Sequence, residues 1–544
     1  MQKEFLSDRR FPARCQKQEE LMAAAIKTPG VYIKELNAFP NSVVEVPTAV
    51  PAFIGCTENQ PTPNIPTRIT SLAEFHSKFG GAPKTKFSYT APAAAGAAPA
   101  GTAVPPGNVA PIGGAAPATA AAPSPLVSPA DNNRFLMYYG MRLFFDNGGG
   151  PCWIVSIGKY DYTKPKDKEK FKDALEALKK IQEPTMLVTP DAVLLDRPGW
   201  KEVCQQMLLH CAAMQSRVSI LDVYDGNLPR ESDETKDVIT LFRDAVTDNL
   251  NYGQAYYPWV KTSIVDDSEV DFNFLTADGI TALKAALSTE AKTTYPDTDP
   301  RQKKLLELID KVKPADAGAT ESNGKTTDPT HLSLVQASKT YRDAMKAIKD
   351  YLNVQPPSAG MAGVYTRVDN FEGVFKAPAN TGMNSVIEPC VNINSDEQED
   401  LNVPLNGKAV NAIRSFVGRG TLIWGARTLD GNSQDWRYVN VRRTIIMLEQ
   451  SCKNAALAYV FAPNNASTWL TLKNMISNFL TNQWKAGALV GASREEAFSV
   501  DVGLGATMTS DDILDGFMRV TVKVALVRPA EFIVITFQQK QQTS

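Results

Sequence analysis

Residues 185–223 read TMLVTPDAVLLDRPGWKEVCQQMLLHCAAMQSRVSILDV. Two short β-branched runs, 185–189 and 217–223, flank a stretch at 200–215 whose Val203, Cys204, Met207, Leu208 and Cys211 recur at helical spacing. A strand, an amphipathic helix and a second apolar strand make a βαβ unit. The same alternation extends outward. A run at 152–157 precedes a helix at 169–181 with Phe171, Leu175, Leu178 and Ile181 on one face; a helix at 232–248 and a strand at 254–260 follow. Short apolar strands between amphipathic helices predict an α/β fold, a mostly parallel sheet covered on both faces.

The flanks differ in kind. Residues 1–27 are polar and then Ala-rich, an expected arm. Thr28-Pro29-Gly30 punctuates before a strand at 31–36, a second apolar stretch runs through 49–55, and a helix at 71–79 stops at Gly80-Gly81. Residues 91–130 are dominated by Ala, Pro and Gly and carry no charge; prolines forbid helix and few side chains offer burial, so an inserted loop is expected. Residues 261–352 predict a helical elaboration, with helices at 278–292, 301–313 and 333–352. The last unit, 400–544, carries helices at 440–459 and 467–485 and two closing strands, 517–527 and 531–538, that could pair as a hairpin. The resulting division is an arm at 1–27, one domain from 28–50 with 400–544, and an α/β domain from 51–90 with 131–399.

Composition narrows the function. Lys plus Arg is 57 against 59 Asp plus Glu, a net charge of -2, which argues against a nucleic-acid partner. No apolar run approaches the ~20 residues that span a bilayer, so no membrane insertion is expected. The charged N-terminus lacks the apolar core of a secretory signal. Seven cysteines without a CxxC pair predict buried, reduced thiols and synthesis in the cytosol.

Catalytic signals are weak. The stretch from Gly318 to Gly324-Lys325-Thr326 has five residues between its glycines where a phosphate loop needs four, and no strand precedes it. Gly148-Gly149-Gly150 comes before a strand rather than after one. Three histidines, His76, His210 and His331, have neither a nucleophile elbow nor a second histidine at i+4. Asp191 and Asp225 follow sheet strands, where open α/β folds place ligands, and carry the alternative reading, an α/β hydrolase-like enzyme; helix caps or turns are the favoured account of them. No catalytic residue, metal site or cofactor is assigned.

One physical signal remains. Residues 531–537 are apolar on both faces, and Val520, Val522 and Val524 line one face of the strand before them. An edge this apolar is exposed to aggregation unless something pairs with it. The segment at Val31, Tyr32 and Ile33, from the same chain or a neighbour, is a candidate partner, and strand donation between subunits uses this composition. A hairpin buried in its own domain is the alternative.

Several blocks resemble the contractile tail sheath family of bacteriophages and phage-tail-like injection systems. Thr28-Pro29-Gly30-Val31-Tyr32-Ile33-Lys34-Glu35 resembles the family's opening motif, and Phe144-Phe145-Asp146-Asn147-Gly148-Gly149 its FxNGG motif. Pro356-Pro357-Ser358, Ala362-Gly363-Val364-Tyr365, Asp369-Asn370 and Lys376-Ala377-Pro378-Ala379-Asn380 resemble a third block. Asn411, Arg414, Gly420 and Trp424-Gly425-Ala426-Arg427-Thr428-Leu429 match a fourth, and Tyr438-Val439-Asn440-Val441-Arg442-Arg443 with Glu449-Gln450-Ser451 a fifth. Ala359, the 91–130 insertion and the 261–352 region depart from the pattern.

The resemblance implies a middle α/β domain similar to subtilisin but without a triad, and an inner α+β domain joining the N-terminal strand to the C-terminal helices and hairpin. It implies a structural role: subunits polymerise as a helical homo-oligomer around an inner tube protein, bounded by baseplate and terminal cap proteins, and contract to drive the tube through a target envelope. Val31, Tyr32, Ile33, Val520, Val522, Val524, Phe532, Ile533, Val534 and Ile535 are the expected strand-exchange residues. Lys473, Lys485, Asp511, Asp512 and Asp515 are the candidate tube-facing ones. Assembly in the bacterial cytoplasm is expected, within a phage tail or a phage-tail-like particle.

Overall fold

A computed structural model describes residues 43–91, 126–130, 134–313 and 328–535. The expected arm at 1–27, the strand with Val31, Tyr32 and Ile33, most of the 91–130 insertion, the 314–327 loop and the chain beyond Ile535 lie outside the described residues.

A nine-stranded sheet organises the molecule. From one edge to the other its strands are Thr381–Gly382, Gly420–Ile423, Asn411–Phe416, Gly253–Tyr257, Val218–Asp222, Met186–Val188, Pro51–Thr57, Cys152–Lys159 and Thr67–Ile69. The five central pairings from Asn411–Phe416 to Cys152–Lys159 are parallel, and the outer strands are antiparallel. Every residue of Pro51–Thr57, Val218–Asp222 and Gly253–Tyr257 is buried, as a sheet covered on both faces requires. The βαβ reading of 185–223 holds: Asp196 caps the Arg197–Met214 helix, and Met186–Val188 pairs in parallel with Val218–Asp222.

Two further helices, Met137–Asp146 and Ser358–Phe371, pack against each other and the sheet. Most of their residues are buried, including all nine from Ser358 to Thr366, so the apolar positions extend well beyond the one-sided stripe of a surface helix. Small residues allow their approach: a Cβ on Gly363 would sit 2.5 Å from the Phe144 carbonyl oxygen. The helix expected at 333–352 is two, Pro329–Ala337 and Lys339–Leu352, because Ser338 leaves helical geometry and caps the second. The one expected at 232–248 is shortened to Val238–Ala245, beginning where Asp237 caps it. The end of the insertion is ordered, Leu126–Pro129 pairing with Phe87–Thr90.

A second core lies between the Val439–Ala456 and Ala466–Lys485 helices and a two-stranded sheet, Phe498–Val502 against Val520–Val524. Two sequence expectations change here. Residues 411–423, assigned to the last unit, extend the large sheet because Asn411 and Ala412 pair with Tyr256 and Tyr257. The closing hairpin of 517–527 with 531–538 is not formed. Val520–Val524 pairs instead with Phe498–Val502, aligning Val500 with Val522 and Phe498 with Val524, while Glu531–Ile535 has no strand partner among the described residues. The Val439–Ala456 helix joins the two cores: Val439 and Ile446 belong to the first, Met447 and Leu448 to the second.

Candidate functional site

The carboxyl ends of the parallel strands are where an enzyme of this fold would bind substrate. There, Asp191 is fully buried: one oxygen accepts from the Cys56 amide at 2.7 Å, the other from the Leu136 and Met137 amides at 2.6 and 3.2 Å. Asp222 accepts from the Ser358 amide at 2.9 Å and from the Ser358 hydroxyl. Burial pushes the Asp191 carboxyl above its ordinary range and that of Asp222 up to about 7. Leu136 and Pro357, at the starts of the Met137–Asp146 and Ser358–Phe371 helices, supply no side-chain cap of their own. The two aspartates stand in for those caps and seat both helices on the sheet.

Asp225 is at the surface, 3.4 Å from Arg197. His76 stacks on Tyr138; His331 shares a hydrogen bond with Tyr341; His210 lies 3.2 Å from Arg217 and is pushed down to about 4 by burial and that cation. None of these contacts is to a nucleophile. Among the described residues, no three His, Cys, Asp or Glu side chains gather as a metal site would require.

The second core presents a different site. Neither Phe498–Val502 nor Val520–Val524 has a second strand neighbour among the described residues; backbone pairing resumes only where 525–527 meets 488–490. Val520 and Val524 are packed against the core, while Val522 between them is 38% exposed. The chain then reaches Glu531, whose carboxylate takes Arg427 Nε at 2.9 Å and the Tyr438 hydroxyl at 3.3 Å. Beyond that anchor, Phe532, Ile533, Val534 and Ile535 are 71, 78, 89 and 71% exposed. Four consecutive large apolar side chains in water, together with a sheet whose outer edges have no partner among the described residues, are features that a covering strand would resolve.

Residues 432–540 match the phage tail sheath C-terminal domain family, so that match spans the second core and the exposed segment. A tail sheath protein of Salmonella phage ViI is 24% identical over 271 residues, 46% of this chain; the chain spans less than half, 42%, of that relative's length. Among solved structures, the sheath complex of the extracellular contractile injection system PVC, in its contracted state, is 25% identical. It aligns over 94% of this chain and 98% of its own with a TM-score of 0.55. The contracted helical sheath of the anti-feeding prophage is 25% identical over 94% and 99% of the two chains, also with a TM-score of 0.55. Residues 432–540 thus match a tail sheath C-terminal domain, and the chain is similar to contractile sheath proteins over most of its length.

Several residues of the motif blocks now have physical roles. Asn411 fixes the turn that carries Arg427, donating to the Ala255 and Arg427 carbonyls and accepting from the Arg427 amide at 2.7 Å. Asn147 is clamped to Asn384 through both its amide nitrogen and its oxygen. Arg443 pairs with Asp369. The sequence marked Arg427, Arg443 and Asp369 as motif letters without a role, and Glu531 only as the start of an apolar run.

Of the candidate tube-facing residues, Lys485 lies exposed at the end of the Ala466–Lys485 helix and Lys473 is half-buried within it. Asp512 closes a capping box with Thr509 and pairs with Arg519 at 3.0 Å. Asp511 and Asp515 are exposed at the tip of the same turn.

Proposed function

We propose that this protein polymerises helically around an inner tube and contracts to drive that tube through a target envelope, each subunit completing its neighbour's second core with exchanged strands. The observation that carries the reading is the exposed Phe532–Ile533–Val534–Ile535 run, rooted by Glu531, in a chain whose two-stranded sheet has no further strand neighbour among the described residues. Burying each such side chain contributes about 1.5–3 kcal/mol, enough across four of them to offset ordering the segment. Added strands also satisfy the open backbone groups, and the alternation of side chains sets register. Val520, Val522 and Val524 line the receiving sheet, Phe532 to Ile535 form the donated strand, and Val31, Tyr32 and Ile33 form the N-terminal counterpart.

Contacts of this kind join unlike surfaces and do not close, which generates a helical tube. Motion then requires two packings of rigid domains joined by unbroken links, with the extended one held by a barrier, so no nucleotide, metal or other cofactor takes part. The large sheet with its elaborations acts as the outer body, a subtilisin-like arrangement whose strand-end aspartates cap helices. The second core, with Lys473, Lys485, Asp511 and Asp515 as its candidate charges, faces the tube. Baseplate and terminal cap proteins bound the polymer, which assembles in the bacterial cytoplasm as part of a phage tail or phage-tail-like particle.

Truncation after Glu531 tests the reading while keeping the root intact. The shortened chain is expected to melt as the full chain does yet form no striated tubes when produced with its tube and baseplate partners. Normal tubes from the truncated chain would refute strand exchange.

A further inference from the structure

The first and last described stretches of the chain are both fastened to one helix. Upstream, the Val46 amide donates to Ser451 Oγ at 3.1 Å, and the Thr48 carbonyl accepts from Arg443 Nη2 at 3.1 Å. The Thr48 hydroxyl donates at 2.6 Å to Asp369 Oδ2, the same carboxylate that holds Arg443. Downstream, the Val527 carbonyl accepts from Asn440 Nδ2 at 3.1 Å, and Glu531 is held by Arg427 and by Tyr438, the residue that begins the helix. Asn440, Arg443 and Ser451 all lie on the Val439–Ala456 helix. At a rise of about 1.5 Å per residue, Ser451 is about 16 Å along the axis from Asn440.

We propose that the Val439–Ala456 helix is the subunit's tension strut: load entering at residues 46–48 passes along it to residues 527–531, in series. The proposal rests on the sheath reading above and specifies how such a subunit bears force. A hydrogen-bonded helix is stiff along its axis, and this one is gripped on both sides because its first half packs in one core and its second in the other. The fastenings suit the task. The Arg443 and Asp369 side chains are 4% and 2% exposed, so water does not compete for that guanidinium–carboxylate pair; at the other root Arg427 is 4% and Glu531 20% exposed, a largely sheltered pair. Exposed pairs such as Lys261 with Glu388 would yield readily to solvent.

Elements in series fail at their weakest member, and this separates a strut from two independent fold contacts. The test uses full-length sheaths assembled with their own tube and baseplate, triggered with mild denaturant and scored by electron microscopy for breaks between rings. Thr48→Val removes only the upstream hydroxyl, and Glu531→Gln only the downstream charge. Each is expected to raise the broken fraction at least threefold, while the double variant breaks no more than the worse single one. Glu388→Gln, at an exposed pair, is expected to change nothing. Unchanged breakage in both singles, or multiplied breakage in the double, would overturn the strut. If the unmodified protein forms no sheath, the underlying functional reading fails instead. Thermal melts of the free subunits separate weakened folding from weakened load-bearing, and Glu531→Gln, at the outer root, carries the test alone should Thr48→Val fold poorly.

Discussion

Arg443 grips Asp369 with both ends of its guanidinium, Nη1 to Oδ1 at 2.9 Å and Nη2 to Oδ2 at 2.5 Å. The pair ties the Val439–Ala456 helix to the Ser358–Phe371 helix of the large sheet, and Thr48 completes it from the chain entering the first strand. Removing one partner of a buried pair leaves the other charge stranded, at a cost of about 3–5 kcal/mol. Arg443→Met is expected to lose that much stability in urea titrations of the free subunit; a loss below about 1 kcal/mol would show that the pair is not a structural tie.

The two buried helices meet through small residues. A Cβ on Gly363 would come within 2.5 Å of the Phe144 carbonyl oxygen and 2.7 Å of Asn147 Cβ. Backbone cannot move aside as a flexible side chain would. Gly363→Ala is expected to destabilise the subunit by about 1–3 kcal/mol, read from its denaturation midpoint. A neutral result would place the helices further apart than the structure has them.

Asp222 gives the fold a pH response. Its carboxyl is pushed up to about 7 by burial, against about 3.9 in an unfolded chain. The folded state therefore binds the proton more tightly, and the associated stability is complete below pH 4 and lost as pH rises through about 7. Urea midpoints of the unmodified protein are expected to fall between pH 5 and pH 8, and Asp222→Asn to flatten that slope. Equal slopes in the two proteins would rule out Asp222 as its source.

Glu531 responds in the opposite sense. Burial alone would raise its carboxyl, but Arg427, with smaller help from Asn402 and Tyr438, holds it below the ordinary glutamate range. The root is therefore at full strength above the unfolded value of about 4.3 and weakens as pH falls through the depressed one. Hydrogen exchange at residues 528–535 is expected to quicken relative to the body of the subunit on acidification from pH 6 to pH 3, with Glu531→Gln already loosened at pH 6. Indifference to acid would detach Glu531 from any anchoring role.

How much of this the sequence revealed depended on where each side chain is buried. The alternation at 185–223 was legible because the Arg197–Met214 helix buries one stripe, with Val203, Met207 and Cys211 in register. The Met137–Asp146 and Ser358–Phe371 helices were not, because burial beyond a single stripe blurs the helical period. The strands at 411–423 gave no hint of their parallel neighbour at 253–257, since that pairing crosses a long chain separation. The apolar run at 531–535 was correctly singled out as unusual, but adjacency suggested a hairpin with 520–524. The real partner lies across the 503–519 loop, where Phe498 and Val500 meet Val524 and Val522. The motif blocks pointed to Arg427 and Arg443; only the geometry revealed them as fastenings at the two roots.

The central claim is that the subunit is finished only by its neighbours. A density map of the assembled tube at side-chain resolution tests it most directly. The account predicts Phe532 to Ile535 of one copy paired, backbone to backbone, beside the Phe498–Val502 and Val520–Val524 strands of another. Density showing those residues folded onto their own chain, with both sheet edges still open, would contradict it.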